Sequence, residues 1–166
     1  MLKGVKLLDN ILNEFLEEFD AEAGIGPDFA YYYASSYIQY TLAVSDKAST
    51  YFMDYVHSLA PDIKCDVFLI SFLHELGHHE TCDELSDEDE IFSRDTKETI
   101  NLTLKMGDPV VEEAAHNLYF NLPDESAATA WAIQYIRDNK EKVAALWERV
   151  QAAIMLIYEL NDVEVA

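Results

Sequence analysis

His74 and His78 lie four residues apart, with Glu75 one position into the interval, in the segment His74-Glu75-Leu76-Gly77-His78. On a helix, positions i and i+4 project from one face, so both imidazoles can reach a single ion. Glu75 is rotated by one position, where it can hydrogen-bond a water on that ion without ligating it. Zinc-dependent hydrolysis needs this arrangement. The ion acidifies the water and polarises a carbonyl, while the carboxylate takes the water's proton and returns one to the leaving amine. Gly77 keeps the helix face small, so another element can approach it closely.

A catalytic zinc site takes a third protein ligand and keeps one position open. Downstream, Glu112, Glu113, His116, Asp124 and Glu125 carry suitable groups. Glu125 is the preferred ligand, because Ser126, Ala127, Ala128, Thr129 and Ala130 follow it. A helix of such small residues can pack tightly on the motif helix and aim a glutamate at the ion. The expected cofactor is one Zn2+ per chain, since two imidazoles and a carboxylate suit zinc. A donor for the developing oxyanion is also required. His116 and Tyr119 are candidates, as are the tyrosines between Tyr31 and Tyr40. His57 and His79 read as structural or surface residues.

The positioning elements are mostly helical. Val5, Leu8, Ile11, Leu12, Phe15, Leu16 and Phe19 recur at helical spacing over residues 5–20, and breaker residues follow from Gly24 to Asp28. Residues 29–44 are rich in aromatic and β-branched types and read as an antiparallel hairpin turning near Ser35-Ser36. Ser45 or Asp46 caps a helix to about Leu59, and Pro61-Asp62 opens the motif helix. That helix is apolar almost all round from Val67 to Leu73, as a buried helix should be. The acidic run from Asp83 to Glu90 reads as a solvated loop before a helix of residues 89–105. Gly107 stops that helix, Asp108-Pro109 starts the next, and Leu122-Pro123-Asp124-Glu125 starts another. The last helix places Val143, Leu146, Trp147, Val150, Ile154, Ile157 and Leu160 at core spacing. The fold class expected is therefore α+β and predominantly helical, one zincin-like domain over residues 1–166 with its small sheet packed on the motif helix.

Charge narrows the partners. The 166 residues carry 11 basic and 32 acidic side chains, a formal net charge of −21 at pH 7. Such a surface repels phosphate backbones and anionic membranes and attracts basic proteins. A basic protein or peptide substrate is expected, with no direct nucleic-acid or membrane binding. The competing expectation is an acidic decoy that mimics nucleic-acid charge, its zinc site structural or vestigial. No secretory segment or apolar span is visible, and Cys65 and Cys82 form no CxxC, which together point to the cytoplasm.

The run Phe68-Leu69-Ile70-Ser71-Phe72-Leu73-His74-Glu75-Leu76-Gly77-His78 and the later run from Leu122 to Ile136 resemble the ImmA/IrrE metallopeptidases. That family is gluzincin-like and common in phages and mobile elements. The resemblance spans about residues 60–137 and implies His74, His78 and Glu125 as metal ligands and Glu75 as general base. It also implies cleavage of a repressor protein. The interval from His78 to Glu125 is longer than is usual there, which leaves room for an extra helix over 108–121. The helix-turn-helix module carried by some relatives is absent from the sequence.

Overall fold

A computed structural model describes residues 2–44 and 47–161, so the expected cap at Ser45 or Asp46 lies outside the described residues. Seven α-helices and a three-stranded sheet make up the described chain, which is predominantly helical α+β as the sequence predicts. They form two compact units, one from the segments up to Ala43 and from Ile136 onward, the other from Val44 to Tyr135. Among the described residues no helix is long and apolar enough to cross a membrane.

In the first unit, α1 (Val5–Leu16) buries Val5, Leu8, Ile11, Leu12, Phe15 and Leu16. It is shorter than the predicted 5–20 helix. A 3-10 turn over Glu17–Phe19 follows, and Asp20 adopts a left-handed conformation (φ 53°) that redirects the chain. The breaker segment is only partly such: Gly24 and Ile25 belong to strand β1 (Glu22–Ile25), and the chain bends at Pro27 and Asp28. Strands β2 (Ala30–Tyr32) and β3 (Tyr37–Tyr40) form the expected antiparallel pair, with Tyr31 opposite Ile38. Their turn passes through Ser36 at φ 47°. β1 adds in parallel to the other side of β3, Ala23 opposite Ile38, so the sheet is mixed, in the order β1-β3-β2. Asn13 of α1 holds the β1 edge: its amide accepts from the Ala23 N–H (2.8 Å) and donates to the Ala23 carbonyl (2.9 Å). Helix α7 (Lys140–Leu160) runs antiparallel to α1, with Arg149 on Glu14 and Lys142 on Glu18.

The second unit contains α2 (Lys47–Leu59), α3 (Val67–Thr81), α4 (Asp87–Lys105), α5 (Pro109–Phe120) and α6 (Pro123–Asp138) as far as Tyr135. Helix α3 starts at Val67, not at Pro61-Asp62, because the Asp66 carboxylate caps it by accepting from the Phe68 N–H (2.8 Å). Its apolar residues Phe68, Leu69, Ile70, Phe72, Leu73 and Leu76 are all buried, as expected of an all-round hydrophobic helix. Cys65 and Cys82, at its two ends, are free thiols. Burial and then the neighbouring Asp66 push the Cys65 thiol up to about 12.

Helix α4 begins earlier than predicted. Ser86 caps it, accepting from the Asp89 N–H (3.1 Å) and donating to the Asp89 carboxylate (2.7 Å). Asp87, Glu88, Asp89 and Glu90 therefore form its first turn, where negative charge is favourable to the helix dipole. Gly107 (φ 69°) ends it, and Asp108 caps α5 with Pro109 at the first position, both as predicted. At about 3.6 residues per turn, Ser93, Lys97, Ile100 and Leu104 share the inward face of α4. Ile100 packs with Ala115 and Leu122, and Leu104 and Tyr119 lie against them. The opposite face leaves Ile91, Phe92, Leu102 and Met106 exposed to solvent.

Among the described residues, Ser93 Oγ is the buried side-chain polar atom without a hydrogen-bond partner. An unsatisfied buried hydroxyl costs free energy that a methyl group does not. Ser93→Ala should therefore stabilise the protein by about 1 kcal/mol, read as a higher denaturant midpoint at unchanged slope. A lower midpoint would show that the hydroxyl is satisfied in solution.

Candidate metal centre

Helix α3 presents His74 and His78 from one face, their ring centroids 4.7 Å apart and nearly perpendicular. Helix α6 brings Glu125 up to them from its first turn. His74 Nε2 is 2.9 Å from Glu125 Oε2, and His78 Nε2 is 3.5 Å from Glu125 Oε1. The three side chains are buried, with 6%, 7% and 3% of their residue surface exposed. Each offers one ligand atom, and these atoms all lie within 4.8 Å of one another. Two imidazoles and one carboxylate, converging in a buried site, are a donor set that fits zinc. Glu125, preferred from sequence, thus joins both histidines.

Of the other sequence candidates, Glu112, Asp124 and His116 each have a partner outside the three ligands. Glu112 pairs with Lys47 at 2.6 Å, and Asp124 pairs with Lys97 at 2.5 Å. His116 stacks on Tyr51, with centroids 4.7 Å apart, and on Phe120. The tyrosines from Tyr31 to Tyr40 belong to the first unit. Tyr119 does reach the centre, through a hydrogen bond to Glu125. Burial, then the charges of Glu125 and Glu75 and that hydrogen bond, push its phenol far above the ordinary tyrosine value, so it is a protonated donor. Glu75 is itself buried beside the histidines on α3.

The approach of α6 to α3 is set by Gly77. A Cβ built there would stand 2.9 Å from the Ala128 Cα and the Ala128 carbonyl carbon, closer than real Cβ atoms come. The glycine and the small residues after Glu125 therefore do what their sizes predict: they let two backbones nearly touch. Phe52 of α2 sets its ring edge-on to His74, with centroids 5.1 Å apart, and Phe120 lies against Phe52.

Sequence reasoning missed two supporting groups. Thr129, one turn after Glu125 on α6, places its Oγ1 3.0 Å from His74 Nδ1. That partner leaves Nε2 as the atom facing the other ligands, which fixes the ring for metal binding. The signal was present, since residues four apart share a helix face. Lys97 of α4 gave no such signal. Its ammonium lies 2.5 Å from Glu125 Oε1 and 2.5 Å from Asp124 Oδ2, with the Tyr119 ring 5.3 Å away. Burial opposes the lysine charge, but the Glu125 charge and the bonds to both carboxylates outweigh it and raise its pKa. For Glu125, burial favours the neutral acid. The hydrogen bonds and charges of His74 and His78 prevail and hold its carboxyl well below the usual range.

Comparison of the chain with protein-family models, with curated proteins and with solved structures returned no match.

Gly77→Ala tests the close approach. In an open helix this change would stabilise by roughly 0.5–1 kcal/mol; against the α6 backbone the clash should win. A net loss of about 1–3 kcal/mol in denaturant unfolding is expected, together with weaker zinc binding. Unchanged stability and zinc binding would mean that α6 sits farther from α3 than described.

Proposed function

We propose that the chain is a zinc-dependent metallopeptidase of the kind its sequence resembles, the ImmA/IrrE type, acting on a basic protein substrate. The observation that carries this reading is the buried convergence of His74, His78 and Glu125 with Glu75 at the next position of the same helix. A zinc ion held by those three would supply Lewis acidity toward a water and a peptide carbonyl. His74 and His78 would hold it through Nε2, with Thr129 orienting the first ring. The Glu75 carboxylate takes a proton from the attacking water and delivers it to the departing amine nitrogen. Of the oxyanion candidates on α5, Tyr119 reaches the centre with its hydroxyl, whereas His116 lies against Tyr51. Turning its O–H from Glu125 to the substrate oxygen is the movement that role requires.

The net charge of −21 supports a basic substrate, because it draws cationic segments and repels polyanions. The same charge favours a second reading, an acidic decoy that holds a DNA-binding protein without cleaving it. One pair of measurements separates the two. The purified protein should contain about one zinc per chain, and Glu75→Gln should retain it. Cleavage of basic peptides should fall at least about 100-fold in that variant, the lower end of what a general base contributes. Undiminished biological activity in Glu75→Gln would remove the peptidase and leave the decoy. Glu125→Ala should lose zinc; if it does not, the third ligand is another residue.

A further inference from the structure

We propose that Lys97 is a positioning residue for the metal centre, one that claims Oε1 of Glu125 and so makes this glutamate a one-oxygen ligand. The inference rests on the metal-site reading above and adds a residue that the HELGH pattern does not contain. Glu125 enters the centre with two oxygens, and the structure gives them different neighbours. Oε2 is the nearer to an imidazole, 2.9 Å from His74 Nε2. Oε1 is 2.5 Å from the Lys97 ammonium and 3.5 Å from His78 Nε2.

Lys97 is itself fixed. Asp124 Oδ2 takes its ammonium at 2.5 Å, and its stem leaves the inward face of α4 with Tyr119 beside it. A charge-assisted bond of this kind is strong and directional. While it persists, Oε1 has an ammonium in front of it, and the carboxylate plane cannot rotate to offer both oxygens to one ion. Two imidazoles, one carboxylate oxygen and an open position then make a four-coordinate site, the geometry that zinc takes. Releasing Oε1 would add an oxygen donor and raise the coordination number, which suits manganese and other oxygen-preferring ions better. Lys97 thus bears on which metal the chain selects, without touching the metal itself.

Cobalt reports this directly, because four-coordinate Co2+ absorbs visible light much more strongly than five- or six-coordinate Co2+. The cobalt-loaded unmodified chain should show the strong four-coordinate spectrum. Lys97→Met keeps the apolar stem and removes the donor; its cobalt absorption should fall several-fold. Its preference for zinc over manganese, measured by competition against a chromophoric chelator, should drop by about tenfold, the low end of what ligand-orienting partners contribute. Lys97→Arg retains a charged donor and should restore the original spectrum. Thr129 orients a different ligand, His74, so Thr129→Val should weaken zinc binding with the cobalt spectrum unchanged.

Circular dichroism checks the fold of each variant, and Lys97→Gln supplies the same comparison should Lys97→Met not fold. A Lys97→Met or Lys97→Gln spectrum identical to that of the unmodified chain would overturn the inference while leaving the metal site intact. Failure of the unmodified chain to bind cobalt or zinc would instead overturn the metal-site reading itself.

Discussion

The near-contact of two backbones at Gly77 and Ala128 is the constraint on which the metal centre depends. Gly77 lies between His74 and His78 on α3, and Ala128 lies one turn beyond Glu125 on α6. A glutamate side chain is short, so its carboxylate meets both imidazoles only if the helix carrying it comes this close. Thr129, next to Ala128, meets the far side of His74 through the same approach. Replacing one hydrogen by a methyl at the crossing point therefore disturbs several contacts together. Packing and chemistry are here the same requirement, which is why small residues follow Glu125 where an ordinary helix would carry larger ones.

The electrostatics of the centre run against those of the whole chain. The molecule carries 21 more acidic than basic side chains, yet the buried carboxylate of Glu125 is met by Lys97 and two histidines. Removing a carboxylate from water costs several kcal/mol when nothing compensates. Here the compensation comes from groups on α3 and α4, and Tyr119 adds a neutral donor. The carboxylate consequently stays ionised where burial alone would protonate it, which is the state a metal ligand must have.

The helices and the donor set were legible because their signals are local. The i, i+4 histidines, the Asp108-Pro109 start and the Gly107 stop each sit in a few consecutive residues and need no tertiary information. The misreadings share another cause. β1 was hidden because Gly24 and Gly26 disguise a strand that is held by pairing with β3 and by the Asn13 amide, neither of which is adjacent in sequence. The start of α3 was misplaced because Pro61-Asp62 and Asp66 are both good openers, and only the chain path selects between them. Lys97 was invisible for a deeper reason. Its partners lie 27 and 28 residues away, and one lysine among the acids of α4 looks like any solvated base until α4 turns it inward.

The outward face of α4 bears on the colloidal behaviour of the protein. Ile91, Phe92, Leu102 and Met106 leave apolar surface in water, and the net charge of −21 opposes its sharing by two molecules. Repulsion between such anions reaches about 10 Å at 0.1 M salt and about 3 Å at 1 M, whereas apolar attraction strengthens in sulfate. Low ionic strength therefore opposes self-association through this surface, and concentrated sulfate favours it.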